Sequence, residues 1–164
     1  MRIAMIVHQY PPERTGGTER HVRQLARALA REHEVFVYTQ AVEHHGTGAA
    51  EDAIDGTVVR RWLDRSGAAQ PALAKDMEES IRAFAPNVVH VHHAIGFPPR
   101  AVRALAADFP SVLTLHDYWW ICPRIRLLYR GETPCEGPVP LSRCVSCYDG
   151  ADAKSLVGEA ASLF

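Results

Sequence analysis

The strongest constraint on this chain is an alternation: over roughly the first ninety residues, short apolar runs are followed by longer stretches of helical period, the pattern of a parallel α/β sheet. Residues 3–7 (Ile-Ala-Met-Ile-Val) are apolar without a break, as a strand covered on both faces requires. Pro11-Pro12 and Gly16-Gly17 mark residues 8–17 as a loop. Val22, Leu25, Ala26 and Leu29 then share one face of a helix over 18–31, and 34–39 reads as a second strand. Residues 42–56, rich in glycine, histidine and acids, read as a mobile loop. A strand at 57–62, a helix ending near Ala85, a strand at 87–92, a helix at 99–108 and a further buried strand at 111–115 complete the repeat. Beyond Asp117 the pattern becomes irregular, with one hairpin expected at 125–129 and a helix at 151–164.

Composition matters mainly for what it excludes. A net charge of −1 speaks against a nucleic-acid binder, which needs a basic excess. The start has neither the basic region nor the long apolar core of a secretory signal, so a cytoplasmic location is expected. Arg20, Arg23, Arg27 and Arg31 form one stripe of the first helix. A solvated face is the ordinary explanation, and weak contact with the inner membrane surface is the alternative. The last helical stretch ends without a glycine terminator, which reads as a piece of a longer protein.

The strand, Gly16-Gly17 loop and helix can present free backbone N–H groups and a positive dipole end to an anion. The spacing is neither that of a dinucleotide fingerprint nor that of a Walker loop, and a tight turn is the plainer reading. Glu19 in the first turn would repel a phosphate unless it points away. Ligands of open α/β sheets collect at the C-terminal strand ends, where His8, His92, His93 and His116 fall. His90 should pack under a helix, whereas His92 or His93 would line the cleft. His116, beside Asp117, can be oriented to donate to a hydroxyl or a phosphate, or can serve only to cap the strand end.

The chain's four cysteines have the spacing Cys122-x12-Cys135-x8-Cys144-x2-Cys147. A C-x-x-C pair plus two more can form a tetrahedral thiolate site with structural zinc as the default metal. Inert packed cysteines and an iron–sulfur or redox role are the other readings. Trp119 and Trp120 can stack on a sugar ring, although at least one should belong to the core. Arg124 and Arg126 can bind an anionic ligand or shape the cysteine segment.

Three stretches resemble glycosyltransferase family 4 in order along nearly the whole chain: residues 3–22 with Gly16-Gly17-Thr18-Glu19-Arg20-His21-Val22, then Val88-Val89-His90-Val91-His92, then Val112-Leu113-Thr114-Leu115-His116-Asp117-Tyr118. The run His116-Asp117-Tyr118-Trp119-Trp120-Ile121-Cys122-Pro123-Arg124, with Cys135-Glu136-Gly137-Pro138 and the later C-x-x-C, resembles a subset of that family with a cysteine-rich insertion near the acceptor site. The resemblance implies the N-terminal, acceptor-side lobe of a GT-B enzyme: a Rossmann-like three-layer α/β sandwich with a mainly parallel sheet. It assigns Gly16 and Gly17 to the donor diphosphate and His116 and Asp117 to the reaction centre. His92, His93, Tyr118 and Arg124 are expected at the acceptor. The implied reaction is retaining transfer from a nucleotide-sugar to a carbohydrate or lipid-linked acceptor, with no organic cofactor and no nominated covalent carboxylate.

The expected division is 1–118 for the lobe, 119–150 for the insertion and 151–164 for the start of a truncated helix. Such a chain should be inactive without its donor-binding C-terminal domain. The rivals are a metal-stapled binding module without catalysis and a cysteine-based metal or redox sensor.

Overall fold

β1 (Arg2–Val7) is paired on both sides by parallel strands, with β2 (Glu34–Gln40) on one and β5 (Val88–His93) on the other. A computed structural model describes residues 1–41, 48–63, 70–122, 124–136 and 139–147. It divides into two compact units, Met1–Thr114 and Leu115–Phe164. In the first, β3 (Ala49–Ile54), β4 (Thr57–Trp62) and β6 (Ser111–Leu113) complete a six-stranded sheet of order β3-β4-β2-β1-β5-β6. All neighbours are parallel except the β3–β4 pair.

Both faces of β1 are buried, as its unbroken apolar run requires. Ile3, Met5 and Val7 pack with Val35, Val37 and Val59 against Val22 and Ala26 of α1 (Gly17–Leu29). The opposite face meets α2 (Gln70–Phe84), where Phe36 stacks on Phe84 at 5.3 Å. α3 (Pro99–Asp108) packs beside α2. Its limits follow from local chemistry: Pro99 is preset for the first helical turn, and Phe109 is extended before Pro110. Each side chain withdrawn fully from water contributes about 1.5–3 kcal/mol.

Three expectations need correction. Residues 42–56 are not all loop, because Ala49–Ile54 pairs along its whole length with β4. Asp55 and Gly56 both have positive φ (52° and 81°), the backbone of a tight Asp-Gly hairpin turn. The strand is an exposed edge with acidic side chains, so it lacks an apolar signal. Second, β6 is three residues long and exposed, not a buried strand over 111–115. It is an edge strand, which an apolar run alone does not reveal. Third, the hairpin starts within the expected 125–129 at β7 (Leu128–Tyr129) but its second strand is β8 (Thr133–Pro134), and α4 (Leu141–Cys147) was not anticipated. The helix expected at 151–164 lies outside the described residues.

Two arginines of β4 tie the sheet to its surroundings. Buried Arg61 donates to the carbonyls of Tyr10 and Pro11 and pairs with Asp52 at 3.2 Å. Arg60 grips both carboxylate oxygens of Asp76 on α2, and Tyr38 donates to the same carboxylate at 2.6 Å. Burial would raise the Asp76 carboxyl, but the hydrogen bonds from Arg60 and Tyr38 outweigh it and hold it below the ordinary 3.8.

Arg61→Ala is expected to lower unfolding free energy by about 3 kcal/mol in urea melts, since it leaves two carbonyls unpaired. For Asp76 the folded pKa is depressed, so its stabilisation is present above the unfolded value near 3.8 and is lost as pH falls through the folded value. Asp76→Asn should therefore flatten the acid limb of stability against pH. Equal acid slopes for the two proteins would contradict this account.

Candidate functional site

With β3 set aside, the parallel strands run across the sheet in chain order third, second, first, fourth, fifth. The order reverses between β1 and β5, and such a switch point opens a crevice at the C-terminal strand ends. The sequence places its chemistry there. His8 leaves β1, and His92 and His93 end β5. The register shifts between Ile6 and Val7, so that Ile6 lies opposite Val91 but Val7 opposite His93. A bulge of this kind re-aims side chains, and here both His92 and His93 are buried.

The imidazoles are close together. The His8 and His93 ring centres are 4.5 Å apart, and those of His90 and His92 3.9 Å. His21, one turn into α1, meets His92 edge-on at 5.9 Å. His90 is half-buried with its Nε2 2.7 Å from the Thr114 hydroxyl.

The glycines open α1: Gly16 caps it in an extended conformation and Gly17 begins it. Glu19, at the third helical position, is buried and reaches inward to His8 Nε2 at 3.4 Å. Its other oxygen sits 2.5 Å from where a Cβ on Gly16 would lie. The carboxylate therefore closes over Gly16, whereas Gly17 has nothing within 4 Å of that position. Only the Gly17 side stays open for an anion to approach the helix end.

The other expected residues lie in the second unit. Asp117 Oδ1 accepts the backbone N–H of Trp119 at 2.8 Å, a local turn contact. His116 is half-buried and Tyr118 exposed. Trp119 and Trp120 are both buried and meet edge-on at 4.9 Å. The Arg124 guanidinium donates to the Cys147 carbonyl at 2.8 Å, so it ties α4 to the preceding turn. Cys122, Cys135, Cys144 and Cys147 all line one cavity, none in a disulfide. Burial first, and then the neighbouring cysteines, push the Cys144 thiol up.

Residues 15–138 match Glycosyltransferase Family 4, which covers most of the chain. The chain belongs to glycosyltransferase family 4. It is 33% identical over 117 residues to an alpha-maltose-1-phosphate synthase of Mycobacterium tuberculosis, covering 71% of this chain and 28% of that protein. It is 30% identical over 138 residues to a glycogen synthase of the same organism, covering 71% of this chain and 33% of the relative. The chain thus spans about a third of the curated relatives it matches. Among solved structures, the sucrose-phosphate synthase of Thermosynechococcus elongatus superposes with a TM-score of 0.54 at 15% identity, over 92% of this chain and 41% of that one. That likeness establishes the Rossmann-like α/β fold.

In this family 4 domain, sequence reasoning passed over two positioning residues. Arg61 holds the loop that leads to the glycines from about fifty residues away, and no local pattern signals such a contact. His21 carries no periodic signal of its own, because its partner is set by the β5 bulge. The two glycines should separate experimentally. Gly16→Ala is expected to cost roughly 1 kcal/mol in denaturant melts, because Glu19 must leave its seat. Gly17→Ala should be neutral or stabilising by up to about 0.5 kcal/mol.

Proposed function

We propose that this chain is the acceptor-side lobe of a retaining glycosyltransferase, which transfers a sugar from a nucleotide-sugar donor to a carbohydrate or lipid-linked acceptor. The observation that carries the reading is the switch point: the strand order reverses between β1 and β5, whose ends carry the imidazoles of His8, His92 and His93, and the Gly17 end of α1, the next element after β1, is open. Backbone N–H groups at a helix start suit a diphosphate, and imidazoles suit hydroxyl and phosphate oxygens. The names of the relatives, maltose-1-phosphate and glycogen synthases, favour glucan-like or phosphorylated sugars as the acceptor class.

In this reading Gly16 and Gly17 serve the donor diphosphate, Gly17 by contact and Gly16 by making room for Glu19. His116 and Asp117 belong to the reaction centre, with Asp117 fixing the turn that carries it. His92, His93 and Tyr118 face the acceptor. Arg124 is the weakest of the proposed acceptor residues, since its guanidinium already holds Cys147. The lobe would span 1–118 and the cysteine-rich insertion 119–150. No organic cofactor enters, and a thiolate-bound metal in the second unit takes no part in the transfer.

No helix of the described residues is long and apolar enough to cross a membrane, and the reading places the protein in the cytoplasm. Contact with the inner membrane face is a minor part of it, because Arg23 of the basic stripe is paired with Asp55 at 2.7 Å.

The test is a titration of the labelled chain with nucleoside diphosphates and malto-oligosaccharides, followed by amide NMR. Diphosphate should shift the Gly17 amide and its first-turn neighbours, and Gly17→Ala should weaken that response while the fold stays intact. The chain alone should transfer no sugar from a nucleotide-sugar donor. Measurable transfer by it, or a Gly17 amide indifferent to every diphosphate, would sink the reading.

A further inference from the structure

The described residues of the second unit bury the Trp119–Trp120 pair but carry little regular structure. Among its described residues, the regular structure is two paired strands of two residues each and one seven-residue helix. Elements this short do not support themselves in water. Ile125, Leu127 and Arg130 nevertheless hold positive φ angles of 55°, 52° and 50°. For a β-branched residue such as Ile125 that conformation is a true outlier. Each such residue costs on the order of 1–3 kcal/mol and persists only where its surroundings over-determine it.

The cysteines lie where such a constraint would act. Cys122 ends the turn after Trp119-Trp120, Cys135 directly follows β8, and Cys144 and Cys147 stand one turn apart on α4. These segments bring all four side chains to the lining of one small cavity of about 20 Å³. None is fully buried, as small packed hydrophobes would be. The Arg130 N–H points at Cys147 Sγ at 3.0 Å, and the Cys135 N–H donates to the Leu127 carbonyl at 2.8 Å, so the left-handed residues serve to place sulfur. Arg124 and Arg143 also line the cavity, and Arg130 and Arg143 both lie against the Tyr129 ring, at 5.6 and 4.8 Å. Three guanidiniums suit a centre of four thiolates around one divalent ion, which carries net negative charge.

We propose that Cys122, Cys135, Cys144 and Cys147 form a closed tetrathiolate site for a structural Zn²⁺ ion that clips the turn, the hairpin and α4 together. Four thiolates leave no open position for water or substrate, so the ion orders the segment and takes no part in chemistry. The site stands on the second unit alone and does not depend on the transferase reading.

The experiment uses the full chain, purified under reducing conditions. Native mass spectrometry should find one zinc per chain. Exchange for Co²⁺ should give the visible bands of a tetrahedral site with sulfur charge transfer in the near ultraviolet. Cys122→Ser and Cys144→Ser should each blue-shift those bands and weaken Zn²⁺ binding by about 100-fold or more, at least what loss of an outer partner costs. Far-ultraviolet circular dichroism checks folding in both variants, and the parallel sheet contains no cysteine. Three results would overturn the proposal: less than stoichiometric metal after reconstitution, a cobalt spectrum unchanged by either variant, or a cluster containing inorganic sulfide.

Discussion

Everything in the first unit depends on β1 being a central strand with parallel neighbours on both sides. Its pairing with β2 builds one half of the sheet, and its pairing with β5 begins the other. Because the order reverses at β1, the connections on its two sides diverge and leave a crevice at its C-terminal end. The same strand supplies core side chains to both helical layers. The position of the candidate site is therefore a consequence of the packing, and it cannot move without rebuilding the core.

The loop after β1 cannot rely on a ladder for its shape, so it is fixed from outside. Arg61 reaches from β4 to two of its carbonyls and is itself held by Asp52 on the edge hairpin. This makes β3 more than a decorative edge. The Asp55-Gly56 turn sets the register that places Asp52 opposite Val59 and near Arg61, so an exposed hairpin stabilises the loop that leads to the glycines. Buried charge of this kind is costly unless its hydrogen bonds are satisfied, and here they are.

The sequence was most readable where one local signal decided the matter. The apolar run of residues 3–7 and the proline-bounded α3 came out within a residue of the observed elements. The Asp55-Gly56 signal was present too, but nearby glycines and acids suggested a loop, and an acidic edge strand offers no apolar pattern to oppose that. At β6 the run Val112-Leu113 reads as core, yet both side chains are about half exposed, because burial depends on what covers the edge. For the site, strand-end histidines and the glycine loop could be placed from topology alone. The β5 bulge could not, since a register shift appears only when the strands pair. The cysteine spacing and Arg124 were legible in the sequence, but not Arg143 or the left-handed residues beside the cysteines.

The two adjacent glycines look interchangeable in the sequence, and the structure gives them different tasks. Neither needs a left-handed backbone, so conformational freedom explains neither. Gly16 makes room for Glu19, whose carboxylate folds over it and would have to leave its seat if a Cβ were added. Glu19 in turn satisfies the positive end of α1 and meets His8, which draws its charge inward. An anion arriving at this helix would meet a carboxylate at Gly16 and open backbone at Gly17. Two unit charges about 5 Å apart repel by roughly 3 kcal/mol at an effective dielectric constant of 20, more than a typical single hydrogen bond returns. The open side of the loop is thus Gly17, while the Glu19 carboxylate beside Gly16 is turned toward the His8 imidazole.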